Sequence, residues 1–216
     1  MSSLWAGQVL AALTLDTTRF IYEGDKQFIS AMVNNTSDKE YGGQVWLDNI
    51  VEKDTRPTFI ATPSFFRVKE GGRQVFRVMK VSDHMPNDKE SIYWLNLQEI
   101  PPAQSGGGLS MAIRTKVKLI YRPANMVNGR SGAEKNMTVE YLPGEQWLVN
   151  TTGYIFTIGE VLDEQDQPID MIQSDRDKLV MFMPGERVDV TGHSVKSVSA
   201  LNDHGNVNSY ILNSWE

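Results

Sequence analysis

Strand-like runs recur roughly every ten residues from Leu13 to the end of this chain, and each is closed by a turn. No segment sustains an apolar period of 3.6. Phe20, Ile21 and Tyr22 lead into the turn Glu23-Gly24-Asp25, and Ile29, Ala31 and Val33 alternate before Asn34-Asn35. Val45, Trp46 and Leu47 make a third run, and residues 59–61 a fourth that ends at Thr62-Pro63. Val68 and then residues 75–78 follow across Glu70-Gly71-Gly72. A chain punctuated in this way has one economical solution, an all-β sandwich or barrel. Counting to Arg122 gives about seven strands, the number of an immunoglobulin-like sandwich.

Beyond Pro123 the composition shifts. Residues 124–135 carry Asn, Gly, Arg and Ser with little apolar content and are expected to form a linker. Strands are expected again at 139–141, 147–149 and 154–158, then at 180–183, 188–190, 197–201 and 207–212, with a hairpin tip at 163–167. The result is a second, smaller β domain.

Residues 90–123 read as two long strands joined by a loop. The first, residues 91–100, ends at Pro101-Pro102, because proline cannot donate to a ladder. Three glycines, 106–108, soften the loop. Leu109, Met111 and Ile113 then alternate with Ser110, Ala112 and Arg114. Taken alone, that apolar row is the protein's own core. Lys118 falls on the opposite parity, so a bulge or strong twist is expected if it is to share a face with the row.

Composition narrows the chemistry. The 216 residues are 40% hydrophobic and 22% charged, and the formal net charge is −6. That balance argues against a protein that works mainly by gripping nucleic acid or an anionic membrane. The chain has no cysteine, so it forms no disulfide and uses no thiolate. No stretch approaches the ~18 apolar residues of a membrane-spanning helix. Residues 2–13 are uncharged and mostly apolar, with Val9-Leu10-Ala11 placed like a signal-peptidase site. Residues 1–11 are therefore expected to be a leader remnant or an added extension. His84, His193 and His204 sit in polar, turn-like surroundings with no second ligand at metal spacing. Asp163, Glu164 and Asp166 lack the EF-hand pattern, and Gly106-Gly107-Gly108 lacks a following G-K-[ST] and helix. Asn34-Asn35-Thr36, Asn136-Met137-Thr138 and Asn150-Thr151-Thr152 match the glycosylation acceptor pattern, which is frequent by chance. An enzyme is not expected.

Five blocks, in order and at consistent spacing, resemble one family. They are LDTTRFIYEG at 15–24, IATPSFF at 60–66, NDKESIYWLNLQEIPP at 87–102, TKVKLIYRP at 115–123 and LNDHG at 201–205. The chain is similar to a periplasmic pilus (fimbrial) chaperone of the chaperone–usher pathway, in its short-loop branch. The resemblance implies two immunoglobulin-like β-sandwich domains in a boomerang. Residues 12–123 would form the first and carry a donor strand, with a linker at 124–135 and the second domain at 136–216. It implies a protein of the Gram-negative periplasm whose partners are pilus subunits (pilins and an adhesin) and an outer-membrane usher, with no nucleic acid, cofactor or metal.

The resemblance also assigns roles residue by residue. Arg19 and Lys118 would grip a subunit's C-terminal carboxylate in the cleft between the domains. Leu109, Met111 and Ile113 would be lent to the subunit as its missing strand; chaperone–pilin pairing is itself a known example of such strand addition. Glu90, Arg122 and Asp203 would form an interdomain ion-pair network, and Pro63 would follow a cis bond. The lent row also predicts self-association of the free protein through the donor strand. The principal rival is an immunoglobulin-like adhesin or pilin module. A β-sandwich hydrolase is disfavoured by the lack of an active-site constellation.

Overall fold

The computed structural model describes residues 11–50, 56–103 and 111–215. The chain divides into two compact units. One holds residues 1–18, 27–83 and 93–118, the other residues 19–26, 84–92 and 119–216.

In the first unit, β1 (Leu13–Leu15), β3 (Phe28–Asn35), β5 (Phe59–Thr62) and β7 (Arg73–Lys80) form a sheet in the order β1-β3-β7-β5. All three of its pairings are antiparallel. A second sheet runs β2-β9-β8-β4-β6, with β2 (Arg19–Glu23), β4 (Tyr41–Asn49), β6 (Phe65–Val68), β8 (Ser91–Ile100) and β9 (Arg114–Arg122). β2 is the edge strand of this sheet; it is shorter than β9, five residues against nine, and meets its C-terminal end, where the Gly24 N–H bonds the Arg122 carbonyl.

Period-two patterning decides which side chains are enclosed. Ala31 and Val33 of β3, Phe76 and Val78 of β7, and Leu95 and Leu97 of β8 are buried, together with Val117 of β9. Phe59 and Tyr93 meet edge to face at 4.8 Å. The alternation holds from Ile113 to Leu119, before the wholly buried end of β9: Ile113, Thr115, Val117 and Leu119 are each less exposed than the neighbours between them. The change of face expected between Ile113 and Lys118 is therefore not seen in the burial pattern, and Lys118 shares a face with Arg114 and Lys116.

The second unit is built from β10 (Thr138–Leu142), β11 (Glu145–Val149) and β13 (Arg187–Asp189) in one sheet. The other sheet has the order β12-β14-β15, from β12 (Ile158–Asp163), β14 (Val195–Leu201) and β15 (Val207–Ile211). Met137, Leu148, Phe156, Phe182, Val198 and Leu212 lie at the centre of its core. Two local expectations fail here. Residues 180–183 are not a strand: Phe182 makes only an isolated bridge to Phe156, at the exit of a helix α1 (Gln173–Leu179). That helix is short and polar, held by a 2.8 Å Lys178–Asp175 pair and the buried Leu179, so it offers no apolar period to read. Likewise β12 begins at Ile158 rather than at 154.

A matching device closes a turn in each unit. The buried Asn35 amide donates to the Lys39 and Val68 carbonyls while its Oδ1 accepts from the Ser37 N–H and hydroxyl. Asn150 does the same, donating to Tyr154 and Phe182 and accepting from Thr152. These are Asx turns, and the fully buried Asn150 is consumed by its own backbone rather than presented as a glycosylation acceptor.

Candidate functional site

Residues 124–135, expected as a linker, form two 3-10 helices, Ala124–Gly129 and Ala133–Asn136, and bring Arg130 and Glu134 into the interior of the second unit. They join Glu90, Arg122 and Asp203 there. The Arg122 Nε–H donates to Glu90 Oε1 at 2.6 Å, and its Nη1 and Nη2 donate to the two Asp203 oxygens at 2.7 and 3.0 Å. The second oxygen of Glu90 accepts the Ile155 N–H at 2.7 Å. Arg130 faces Glu134 at 2.9 Å and lies 3.6 Å from Asp203. The chain of charges thus alternates Glu90, Arg122, Asp203, Arg130, Glu134, all within one unit.

A planar fork between two carboxylates satisfies several donors at once, which an ammonium could not do. Sequence reasoning found Glu90, Arg122 and Asp203 only through the family resemblance. It missed Arg130 and Glu134, whose i,i+4 spacing was the available signal. A cavity of ≈ 340 Å³ opens beside the network, lined among others by Glu23, Arg122, Arg130, Asp203, His204 and Tyr210. Its two guanidinium groups are already matched by carboxylates, so it offers no net charge to an anion.

Arg19 of β2 belongs to the same unit and donates to the carbonyls of Leu201 at 3.4 Å and Asn202 at 3.2 Å. Burial lowers its pKa, the Asp203 charge works against that, and Arg130 reinforces it. Burial likewise pushes the Glu90 carboxyl up, although Arg122 and the Ile155 N–H pull back. Burial opposes ionisation of Asp203 too, but the bonds and charge of Arg122, with Arg130 and Arg19 adding theirs, hold its carboxyl below the usual range. Arg122 also resists burial: its bonds to Asp203 and Glu90 raise its pKa.

The lowered Asp203 value fixes a sign. It contributes stability above the ordinary aspartate value of 3.8 and loses that contribution as pH falls through its own, lower value. Glu90 acts oppositely, its raised value favouring the native state as pH falls. Asp203→Asn is therefore expected to melt below wild type at neutral pH, with the gap closing below pH 3.8. Thermal melts of both proteins across that range are the check. A gap of constant size would mean that Asp203 is not held ionised by Arg122.

In the first unit, β9 and the residues before it carry the remaining candidates. Lys118 is half-buried on β9. Met111 is 58% exposed and Ile113 is half-buried, and both precede the first strand residue, Arg114. Leu109 lies outside the described residues. The Ile113 carbonyl accepts the Glu99 N–H at 2.9 Å, so ladder pairing with β8 reaches at least that far. The Thr62–Pro63 bond is cis. Among the described residues, no three His, Cys, Asp or Glu side chains are grouped so as to hold a metal ion.

This arrangement can be set beside known proteins. Residues 12–127 match the family of pili and flagellar-assembly chaperones, over the PapD N-terminal domain. The chain belongs to the pilus-chaperone family. Chaperone protein FaeE of Escherichia coli is 51% identical to the chaperone over 206 residues, spanning 94% of this chain and 80% of FaeE. The crystal structure of the periplasmic chaperone SfaE superposes with a TM-score of 0.71 at 25% identity, covering 92% of this chain and 97% of SfaE. A chain in the structure of the Salmonella enterica SafA pilin with the SafB chaperone gives a TM-score of 0.71 at 20% identity, covering 94% of this chain and 97% of that one, and so shares the fold. The fold is therefore that of chaperones made of two immunoglobulin-like domains, and the function is that of a fimbrial chaperone. The rival reading as an adhesin or pilin module is set aside by these relatives.

Proposed function

We propose that this chaperone works in the periplasm, lends pilus subunits residues 109–113 as a strand, and delivers them to an outer-membrane usher. Its working domains are residues 12–123 and 136–216, it belongs to the short-loop branch, and it carries out no catalysis. Leu109, Met111 and Ile113 enter the apolar groove of a subunit. Arg19 and Lys118 bind the subunit's C-terminal carboxylate, and the network around Arg122 serves structure alone.

One observation carries this reading. β2, five residues against the nine of β9, is joined to the C-terminal end of β9, where the Gly24 N–H bonds the Arg122 carbonyl. Among the described residues the N-terminal end of β9 therefore has no neighbour strand on that side, and the residue row leading into it exposes a large apolar side chain, Met111. An edge offers unpaired backbone to a second strand, and alternate apolar side chains supply the groove filling. Each side chain fully enclosed contributes about 1.5–3 kcal/mol.

The anchor is tested by Arg19→Ala and Lys118→Ala. A charge-assisted hydrogen bond contributes about 1.5–3 kcal/mol, so each change should weaken subunit capture about tenfold or more. Wild type and variants would be co-expressed with pilus subunits and recovered from periplasmic extract. Wild type is expected to yield a 1:1 complex and each variant little or none while remaining folded, Arg19→Ala melting somewhat lower because it loses its bonds to the Leu201 and Asn202 carbonyls. Undiminished capture by either variant removes that residue from the anchor.

A further inference from the structure

One buried acid lies apart from the charge network around Arg122. Glu99 follows Leu95 and Leu97 on the inward face of β8 and is 4% exposed. Both of its described side-chain partners are main-chain N–H groups. Its Oε1 accepts the Leu13 N–H of β1 at 2.8 Å, and its Oε2 accepts the Ile113 N–H at 3.4 Å. Leu13 is fully buried, so its N–H requires a partner, and the acid supplies one.

At Ile113 the carboxylate stands in for part of the ladder. Two residues in a hydrogen-bonded antiparallel pair exchange both of their N–H···O=C bonds. Glu99 and Ile113 make one of the two: the Glu99 N–H donates to the Ile113 carbonyl at 2.9 Å. The return bond from the Ile113 N–H goes to the Glu99 carboxylate, while the Glu99 carbonyl accepts from Gln98 Nε2 at 3.2 Å. Gln98 Nε2 also donates to the Ile113 carbonyl, at 3.2 Å. Both main-chain groups of Ile113 are thus held from β8, one residue before β9 begins at Arg114.

We propose that Glu99 is a positioning residue for subunit capture, fixing where residues 109–113 part from β8 and which way their backbone faces. The inference rests on the reading that those residues are lent to a subunit. Main-chain groups alternate in direction along an antiparallel strand. With Ile113 held towards β8, Ala112 and Arg114 turn theirs to the opposite edge, where a subunit strand would add. An unheld Ile113 would have to be ordered at capture, and a row set beforehand avoids that cost. Because the same carboxylate holds Leu13, the departure point is tied to both sheets of the first unit and not to β8 alone.

The test is Glu99→Gln. Glutamine has the shape of glutamate but one acceptor oxygen, its other terminal atom being a donor. The oxygen is expected to keep the shorter bond, to Leu13, which leaves the amide nitrogen facing the Ile113 N–H, donor against donor. The melting temperature should stay near wild type. Amide exchange at Ile113 should quicken about tenfold or more, while Leu13, Leu95 and Leu97 keep their protection. Capture is read by competition: differently tagged wild type and variant are co-expressed with one limiting pool of pilus subunit. Wild type should be recovered with about tenfold more subunit than Glu99→Gln. Met111→Glu enters the same competition as the control for the lent strand. Even competition by Glu99→Gln, while Met111→Glu captures nothing, overturns the positioning role and leaves the lent strand standing. Even competition by both overturns the lent strand, and this inference with it. Lost capture with Ile113 exchange unchanged also overturns the inference, because Glu99 would then act elsewhere. Should Glu99→Gln fail to fold, wild type decides: its Ile113 amide should exchange far more slowly than that of Met111, and equal rates would show that the carboxylate does not hold it.

Discussion

Arg122→Ala is expected to destabilise the chaperone by about 3–5 kcal/mol, the usual result of removing one partner from a buried ion pair. The cause lies in what the change leaves behind. The Glu90 side chain is 0% exposed, and its remaining described bond is the Ile155 N–H. Without the guanidinium, its carboxylate must stay ionised in a poor solvent or take up a proton. Asp203 keeps a partial exit, since its side chain is 28% exposed and Arg130 lies 3.6 Å away. At this chain length the loss should appear as a melting temperature lower by about 10 °C. The decisive control is Glu90→Gln/Arg122→Met, which removes both charges. It should recover much of the stability, because the deficit comes from the orphaned acid and not from the missing arginine. If the double variant is no better than Arg122→Ala, the network contributes through packing rather than charge.

The strands were legible because burial in a sandwich imposes period two. Ala31 and Val33, Phe76 and Val78, and Leu95 and Leu97 show it plainly, and all are buried. The short helix Gln173–Leu179 was not legible, since seven mostly polar residues cannot display a 3.6 period and its one anchor is Leu179. Polar composition also misled at 124–135. Arg130 and Glu134 look solvated in sequence, but each supplies the counter-charge that lets the other be buried. Composition is blind to such pairing, and only the spacing hints at it. The parity of Lys118 misled for a different reason. The sequence locates an alternation but not the partner of each face. β9 shows that the Lys118 row and the Ile113 row are two sides of one regular strand.

Met111→Glu is expected to leave the chaperone folded and to abolish subunit capture. The structure makes the first half a matter of exposure: Met111 is 58% accessible, so a glutamate there meets water and its melting temperature should stay near wild type. Ile113 provides the contrast. It is half-buried, its carbonyl accepts the Glu99 N–H, and its own N–H points at the Glu99 carboxylate at 3.4 Å. A second carboxylate at that position would stand beside Glu99, which is itself 4% exposed, and Ile113→Glu should therefore cost stability as well as capture. The second half follows from the proposed strand exchange. In a complex, the glutamate at 111 would enter an apolar groove without a counter-charge, a penalty of several kcal/mol and hence more than a hundredfold in affinity. The same charge should oppose pairing of free chaperones through this edge, so Met111→Glu should elute as a smaller species than any self-associated wild type. Thermal melts, size-exclusion elution and capture of co-expressed subunits on these two variants separate the possibilities. Unfolding of Met111→Glu would return residue 111 to the protein's own core, and normal capture by it would show that the lent strand lies elsewhere.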